Sequence, residues 1–130
     1  MRDFAIKSKK ILVVDDEPDL REVMTFVMSE MGFDVIEASG GNKALKLIQS
    51  ESVHLVISDV RMPDGNGIDL CKNIRALNLK PAIILVTGFS DLTPEMLDAL
   101  GVQALVNKPF SLEDLGKLAK KLLISEEAVS

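Results

Sequence analysis

The sequence has few of the residues that build disulfides, metal cages and aromatic surfaces. Among its 130 residues there are one cysteine, one histidine and five phenylalanines, and there is no tryptophan or tyrosine. The lone cysteine, Cys71, excludes an internal disulfide and a cysteine-based metal site, and it fits a reducing compartment. Cys71 lies on the apolar side of a predicted helix, so we expect it to pack in the core.

Long apolar runs and an excess of positive charge are also missing. No apolar run approaches the roughly 18 residues that a membrane span needs, and the first ten residues lack the apolar stretch of a signal peptide. The formal net charge is -5, whereas a surface for phosphate backbones needs an excess of Lys and Arg on one face. We therefore expect a cytoplasmic protein that contacts neither membranes nor nucleic acid directly.

The length and composition predict one well-packed domain. The chain is 47% hydrophobic and 27% charged, within the usual range for globular proteins. A length of 130 residues suits one hydrophobic core and leaves too little apolar material for a second. We expect a single domain over residues 1–130, with a core from about 10 to 124 and a flexible tail at 125–130 that either ends the protein or begins a linker.

Short apolar runs alternate with amphipathic segments along the chain. The first helix has Pro18 in its first turn and stops at Gly32, and Ser111 can cap the last helix, with Asp114 at the third helical position. Five helices alternate with five strands, which we predict at 11–14, 34–38, 54–58, 82–86 and 104–106. This alternation predicts a doubly wound α/β fold, in which helices cover both sides of a parallel sheet.

Polar side chains follow four of the predicted strands. In open α/β sheets the ligand crevice lies beyond the carboxyl ends of the strands, so these side chains should meet there. They are Asp15 and Asp16 after the first strand, Asp59 after the third, Thr87 after the fourth and Lys108 after the fifth. Three carboxylates, one hydroxyl and one ammonium would then share a single crevice.

This set of groups predicts a magnesium site that handles a phosphoryl group. Neighbouring carboxylates repel unless a cation bridges them, and oxygen ligands without Cys or several His favour Mg²⁺. Asp59 could attack the phosphoryl group and form an acyl phosphate. Lys108 would pair with a phosphoryl oxygen and Thr87 would donate its hydroxyl, while Gly88, which lacks a Cβ, would let a backbone amide approach closely.

From about residue 11 to 123 the chain resembles the CheY-like receiver domains of bacterial response regulators, which act in two-component phosphorelays. The resemblance rests on four segments in this order and spacing: Val-Val-Asp-Asp-Glu at 13–17, Asp-Val-Arg-Met-Pro-Asp-Gly-Asn-Gly at 59–67, Thr-Gly at 87–88 and Lys-Pro-Phe at 108–110. It implies a flavodoxin-like sheet with strand order 2-1-3-4-5 and a cis bond before Pro109.

The resemblance also implies a site and partners. Asp59 would accept a phosphoryl group from a histidine kinase, a phosphotransfer protein or a small phosphodonor. Asp16, Asp59 and the main-chain carbonyl of Arg61 would ligate Mg²⁺, with Asp15 acting partly through water. Phosphorylation would switch the surface around the fourth and fifth helices for partner binding, in a monomer or a weak phosphorylation-dependent dimer. The protein would be a signalling receiver that catalyses its own phosphorylation and dephosphorylation, not a classical enzyme.

Two positions depart from the commonest receiver pattern. Many receivers have Tyr or Phe three residues before the lysine, where this chain has Leu105, so an aromatic rotamer switch cannot operate there. The segment 90–100 contains Pro94 and few small residues, so we expect the signalling face to differ in shape. Arg61 and Phe89 flank the predicted site, and we expect them to control the access of water.

Other functions fit the sequence less well. A receiver-shaped interaction module that is never phosphorylated remains an alternative because of Leu105. An aspartyl-phosphate phosphatase would place a second acid two residues after a nucleophile at the first strand, but that position holds Glu17, just before a helix, and no substrate-capping insert follows. A flavin-nucleotide module needs a hydroxyl- and glycine-rich phosphate loop there, where the acids at 15–17 would repel a phosphate.

Several conspicuous residues have a structural explanation. His54 begins a strand and has no helical face around it, so we expect a structural or surface role. The methionines of the first helix follow helical spacing and should lie in the core: Met24, Met28 and Met31. We expect the lysines of the last helix to form a solvated face: Lys117, Lys120 and Lys121.

Overall fold

The computed structural model describes residues 9–88 and 92–129, with side chains described as far as Ile124. In these residues five strands alternate with five helices. The strands are β1 (Lys10–Val14), β2 (Asp34–Ala38), β3 (Leu55–Asp59), β4 (Ala82–Thr87) and β5 (Ala104–Asn107). The helices are α1 (Pro18–Glu30), α2 (Gly41–Ser50), α3 (Gly67–Ala76), α4 (Pro94–Leu100) and α5 (Leu112–Val129).

The strands form one parallel sheet in the order β2-β1-β3-β4-β5. This confirms the predicted doubly wound α/β fold and its strand order. Every residue of β3 and β4 is buried, because helices cover both faces of the sheet at these central strands. Both strands therefore consist mainly of β-branched and aliphatic residues without the alternation of a half-exposed strand.

Successive strand residues point into two separate cores. Ile11 and Val13 of β1 pack with α1 and α5 on one face, whereas Leu12 and Val14 pack with α2, α3 and α4 on the other. Cys71 is 1% exposed in the second core, which confirms its predicted packing role. Of the three methionines predicted for the first helix, Met24 and Met28 are buried in the first core, and Met31, just after the end of α1, packs against the edge of this core.

The helix boundaries follow local capping signals. The Ser111 hydroxyl accepts a hydrogen bond from the Asp114 amide at 3.2 Å, which confirms the predicted cap of α5. The same helix continues to Val129, and the flexibility that we expect for residues 125–130 stays a prediction. Residues 125–129 contain neither glycine nor proline, so nothing in the sequence ends the helix there.

His54 and the peptide bond before Pro109 both agree with the expectations from the sequence. The Nδ1 atom of His54 accepts a hydrogen bond from the Lys10 amide at 3.0 Å, so His54 has the structural role that we expected. The Lys108–Pro109 bond is cis, as the resemblance implied. Phe89 and the start of the 90–100 segment lie outside the described residues.

Within residues 9–88 and 92–129, no helix combines the length and the apolar composition that a membrane span requires.

Candidate functional site

The carboxyl ends of β1 and β3 bring three carboxylates together. Val14 is paired with Ser58 across these strands, so the residues that follow, Asp15 and Asp59, emerge at the same edge of the sheet. Asp16 joins them, and each of the three acids offers an oxygen atom within 4.8 Å of the others. The predicted acidic cluster is therefore formed.

Burial affects the charge state of this cluster. Asp15 is 1% exposed and Asp59 is 8% exposed, while Asp16 is less buried. Loss of hydration raises the pKa of Asp15 above its ordinary value, and the negative charge of Asp59 raises it further. The Glu17 amide donates a 2.8 Å hydrogen bond to Asp15 and acts in the opposite direction. A cation at this site would relieve the repulsion between the acids.

Lys108 brings a positive charge to the same cluster. Its ammonium nitrogen lies 2.9 Å from Oδ2 of Asp59. Burial alone would lower the pKa of Lys108, but the hydrogen bond and the negative charges of Asp59 and Asp15 outweigh burial and raise it. The side chain is therefore a protonated donor that faces the carboxylates.

Thr87 ends β4 beside the last residue of β5, with which it is paired in register. Thr87 is 1% exposed, and its carbonyl oxygen accepts a 2.7 Å hydrogen bond from the Lys108 amide. A Cβ added to the next residue, Gly88, would lie 4.0 Å from the Lys108 Cβ and would meet no other atom of residues 9–88 and 92–129 at that distance or less, its chain neighbours aside. The described part of the chain therefore leaves space beside Gly88, and the role of its amide toward a phosphoryl group stays a prediction.

The segment after Asp59 folds back on itself. The Val60 amide donates to the carbonyl oxygen of Val86, and the Val60 carbonyl oxygen accepts from the Gly67 amide at 2.9 Å. A Cβ at Gly67 would overlap the carbonyl oxygen of Asp59, so only glycine fits this close approach. The Arg61 amide lies 3.4 Å from Oδ1 of Asp59 and makes a long hydrogen bond.

Two supporting contacts were missed by the sequence analysis. The guanidinium of Arg21 donates to the Asp15 carbonyl oxygen at 2.7 Å and to Glu37 at 2.9 Å, so α1 and β2 both hold the first acidic segment. Asn42 at the start of α2 donates a side-chain hydrogen bond to Asp64, at 3.1 Å. Glycines flank both Asn42 and Asp64, and such glycines can indicate that two backbone segments approach closely. The two segments are distant in the sequence, so their pairing could not be predicted.

The donor set fits a small hard cation. The cluster offers carboxylate oxygens without cysteine or histidine, and such ligands suit Mg²⁺ rather than zinc. Asp15, Asp16 and Asp59 are the side chains that would hold it. The carbonyl oxygen of Arg61 stays a predicted ligand.

Comparison with known proteins identifies the family. The family model described as "Response regulator receiver domain" matches residues 11–120. The alkaline phosphatase synthesis transcriptional regulatory protein PhoP of Bacillus subtilis is 35% identical over 121 residues, which are 92% of this chain and 50% of that protein. The probable transcriptional regulator ycf27 of Cyanophora paradoxa is 37% identical over 119 residues, 91% of this chain and 49% of that protein. The chain thus spans about half the length of these curated relatives.

Solved structures show the same relationship. The response regulator TrrA from Thermotoga maritima, in complex with Mg²⁺-BeF, is 36% identical with a TM-score of 0.77, over 88% of this chain and 98% of that chain. A CheY-like receiver domain protein from Methanospirillum hungatei JF-1 is 27% identical with a TM-score of 0.87, over 94% and 98% of the two chains. The chain therefore belongs to the receiver domain family of the response regulators, the signalling proteins of two-component systems.

Proposed function

We propose that Asp59 accepts a phosphoryl group with the help of Mg²⁺, and that this modification carries a signal. The observation that supports the proposal most is the meeting of Lys108 and the acidic cluster at Asp59. The cluster can hold a cation and Lys108 adds a second positive charge. The incoming phosphoryl oxygens would thus be neutralised from two sides of the acceptor.

The transfer is a single displacement at phosphorus. A carboxylate oxygen of Asp59 forms a bond to the phosphorus, while the bond to an imidazole nitrogen of phosphohistidine, or to the acetate oxygen of acetyl phosphate, breaks. Lys108 leaves its contact with Asp59 to pair with a phosphoryl oxygen, and the Thr87 hydroxyl donates to another. Bound Mg²⁺ would supply further charge neutralisation.

The metal ligands would be Asp16, Asp59 and the Arg61 carbonyl oxygen, with Asp15 acting partly through water. In support, the similar TrrA protein was solved with Mg²⁺-BeF. In dephosphorylation, water would attack the same phosphorus while its bond to the Asp59 carboxylate oxygen breaks, which releases inorganic phosphate, and the chain would catalyse this step slowly. Arg61 and Phe89 would control the approach of that water.

The phosphodonor would be a histidine kinase or a phosphotransfer protein, and the output would be a changed surface around α4 and α5. Helix α4 supports this assignment because it has no fully buried residue, so little packing would have to be broken to move it. Leu105 packs against the core on the α2–α3–α4 face, at the position where many receivers have an aromatic switch, so the change at α4 and α5 would not depend on an aromatic rotamer. The output partner and any dimerisation on phosphorylation are part of this proposal.

The chain would act in the cytoplasm and would not itself contact nucleic acid. Its net charge of -5 supports the second point. The named relatives are transcriptional regulators about twice as long as the matched region, so this point concerns the present chain alone.

The test is incubation with acetyl phosphate and Mg²⁺, followed by measurement of the intact mass. The proposal predicts the gain of one phosphoryl group, lost in Asp59→Asn and in the presence of a chelator. A folded protein that binds Mg²⁺ but gains no mass, even with candidate histidine kinases, would favour the second candidate, an interaction module that is not regulated by phosphorylation. Leu105 at the switch position is the observation that keeps this candidate open.

A further inference from the structure

The loop between β3 and α3 contacts the start of α2 through four residues. The Gly41 amide donates to the Gly65 carbonyl oxygen at 2.9 Å, and the Asn42 amide donates to the Asp64 carbonyl oxygen at 3.2 Å. The side-chain amide of Asn42 also donates to Oδ1 of Asp64 at 3.1 Å. We refer to these three hydrogen bonds together as the loop–helix contact.

The loop–helix contact takes the place of a helix cap. The residue before α2, Gly40, has no side chain to cap the first turn. The first amides of a helix have no partner within the helix, and here two of them bind loop carbonyl oxygens. The stability of the α2 start and the position of the loop are therefore linked.

The fit between the two segments depends on glycine. A Cβ at Gly40 would overlap the Asp64 carbonyl oxygen, and a Cβ at Gly41 would lie 2.7 Å from the Gly65 carbonyl oxygen. Gly65 itself has φ of +88°, a backbone conformation that residues with a side chain rarely adopt. A Cβ added to it would lie 2.9 Å from the Asn42 amide nitrogen. The loop backbone thus lies directly against the end of the helix.

The other end of the loop is also held. Val60 makes backbone hydrogen bonds to Val86 and Gly67, and the Met62 side chain is buried in the core on the α2–α3–α4 face. Only residues 61–63 lie between the Val60 contacts and the loop–helix contact, and Pro63 has a fixed φ. The peptide group of Arg61 therefore cannot rotate freely unless one of these contacts opens.

We propose that Asn42 and Asp64 are positioning residues for the metal site. By holding the loop against α2, they set the direction of the Arg61 carbonyl oxygen toward the acidic cluster, and they thereby raise the affinity for Mg²⁺. This inference rests on the proposed metal-binding function, but it does not require that Asp59 be phosphorylated.

The test is a double-mutant cycle in which the dissociation constant of Mg²⁺ is measured by calorimetry. We expect Asn42→Ala to weaken Mg²⁺ binding about threefold, the effect of losing one exposed hydrogen bond. In an Asp64→Ala background the same substitution should have no further effect, because its partner is already gone. Asp64→Ala also removes a negative charge. This charge is missing from both Asp64→Ala and the double variant, so it does not affect the comparison between them.

A swap and a control separate positioning from general stability. The double variant Asn42→Asp with Asp64→Asn keeps both the hydrogen bond and the net charge, so its Mg²⁺ affinity should return to within about twofold of the wild type. Gln49→Ala removes another exposed amide side chain from α2, at the end away from the loop, and should leave Mg²⁺ binding unchanged. Thermal unfolding without metal checks that each variant is folded.

Hydrogen exchange of the Gly41 and Asn42 amides gives a second readout. Mg²⁺ should slow their exchange in the wild type and less so in Asn42→Ala, if metal binding and the loop–helix contact support each other. The inference would be overturned if Asn42→Ala changed the Mg²⁺ dissociation constant equally in the wild-type and Asp64→Ala backgrounds. A wild-type protein that does not bind Mg²⁺ would overturn it as well. A protein that binds Mg²⁺ as expected but gains no phosphoryl group would overturn the proposed function and leave this inference intact.

Discussion

The ammonium nitrogen of Lys108 lies 2.9 Å from a carboxylate oxygen of Asp59, although 49 residues separate the two along the chain. The contact exists because β3 and β5 both end at one edge of a parallel sheet, with β4 between them. It holds the proposed acceptor and its positive partner together before any phosphodonor binds.

Replacing Lys108 should raise the affinity for Mg²⁺ but lower the rate of phosphorylation. In Lys108→Met a positive charge leaves the acidic cluster, so we expect Mg²⁺ to bind about threefold to tenfold more tightly, while phosphorylation by acetyl phosphate becomes at least about tenfold slower. Calorimetry suits the binding measurement because the protein has no tryptophan. Lys80→Met, at the opposite edge of the sheet, is the control. Weaker Mg²⁺ binding in Lys108→Met would contradict this account of the site.

The stability of the metal-free protein should depend on the charge of Asp15. Burial raises the pKa of this carboxyl, so the folded state holds the proton more tightly than the unfolded state. Its ionisation therefore lowers the free energy of unfolding as the pH rises through the folded-state pKa. Without metal, Asp15→Asn should melt at a higher temperature than the wild type at pH 7.5, and this gain should vanish below the ordinary Asp pKa of 3.8.

Magnesium should reverse this order at pH 7.5, since it would stabilise the wild type more than Asp15→Asn. Thermal unfolding with and without Mg²⁺ at both pH values measures the effect. A metal-free Asp15→Asn that is less stable than the wild type at pH 7.5 would show that the ionised carboxylate stabilises the fold.

Two glycine substitutions should have different consequences. A Cβ at Gly67 would overlap the Asp59 carbonyl oxygen, so Gly67→Ala should cost about 1–3 kcal/mol of stability and also slow phosphorylation. At Gly88 an added Cβ would come no closer than 4.0 Å to the residues that the structure describes, its chain neighbours aside, so Gly88→Ala should leave the free energy of unfolding nearly unchanged but slow phosphorylation if the amide approaches the phosphoryl group. Urea unfolding and the intact-mass assay measure the two effects. Normal phosphorylation of Gly88→Ala would remove the predicted role of Gly88.

The Cys71 thiol should be unreactive in the folded protein. It is 1% exposed, and burial raises its pKa to about 11. Since the thiolate is the reactive form, labelling by a disulfide reagent at pH 8 should be at least about a hundredfold slower than in urea. Rapid labelling without denaturant would show that α3 opens locally or that the core on the α2–α3–α4 face is loosely packed.

The order of the elements and the main site residues could be predicted because each depends on a local pattern. Apolar β-branched runs marked the strands, and the rule that ligands bind at the carboxyl ends of strands placed Asp15, Asp59 and Lys108 together before their distances were known. The predicted strand limits differ from the observed ones by at most one residue: β2 has the predicted limits, β3 begins one residue later, and hydrogen bonding extends β1, β3, β4 and β5 into one flanking polar residue. The Asp59 position at the end of β3 is an example.

Contacts between distant side chains could not be predicted in the same way. Arg75 on α3 donates to the carbonyl oxygens of Leu79, Pro81 and Gly101, and so joins α3 to the turn after α4. Likewise, Asn42 gives no sign in the sequence that it meets Asp64. Such pairs depend on how the helices pack on the sheet, which periodicity alone does not determine.

The most direct test of the central claim is to locate the phosphoryl group. After reaction with acetyl phosphate and Mg²⁺, borohydride reduction converts an acyl phosphate to a stable alcohol, and trypsin separates the candidate acceptors. Cleavage after Lys46 and Arg61 yields a peptide, 47–61, whose single aspartate is Asp59, whereas Asp15 and Asp16 lie in the peptide 11–21. The account predicts that the modification is confined to Asp59 in peptide 47–61. Modification in peptide 11–21, or at a serine or threonine, would contradict it.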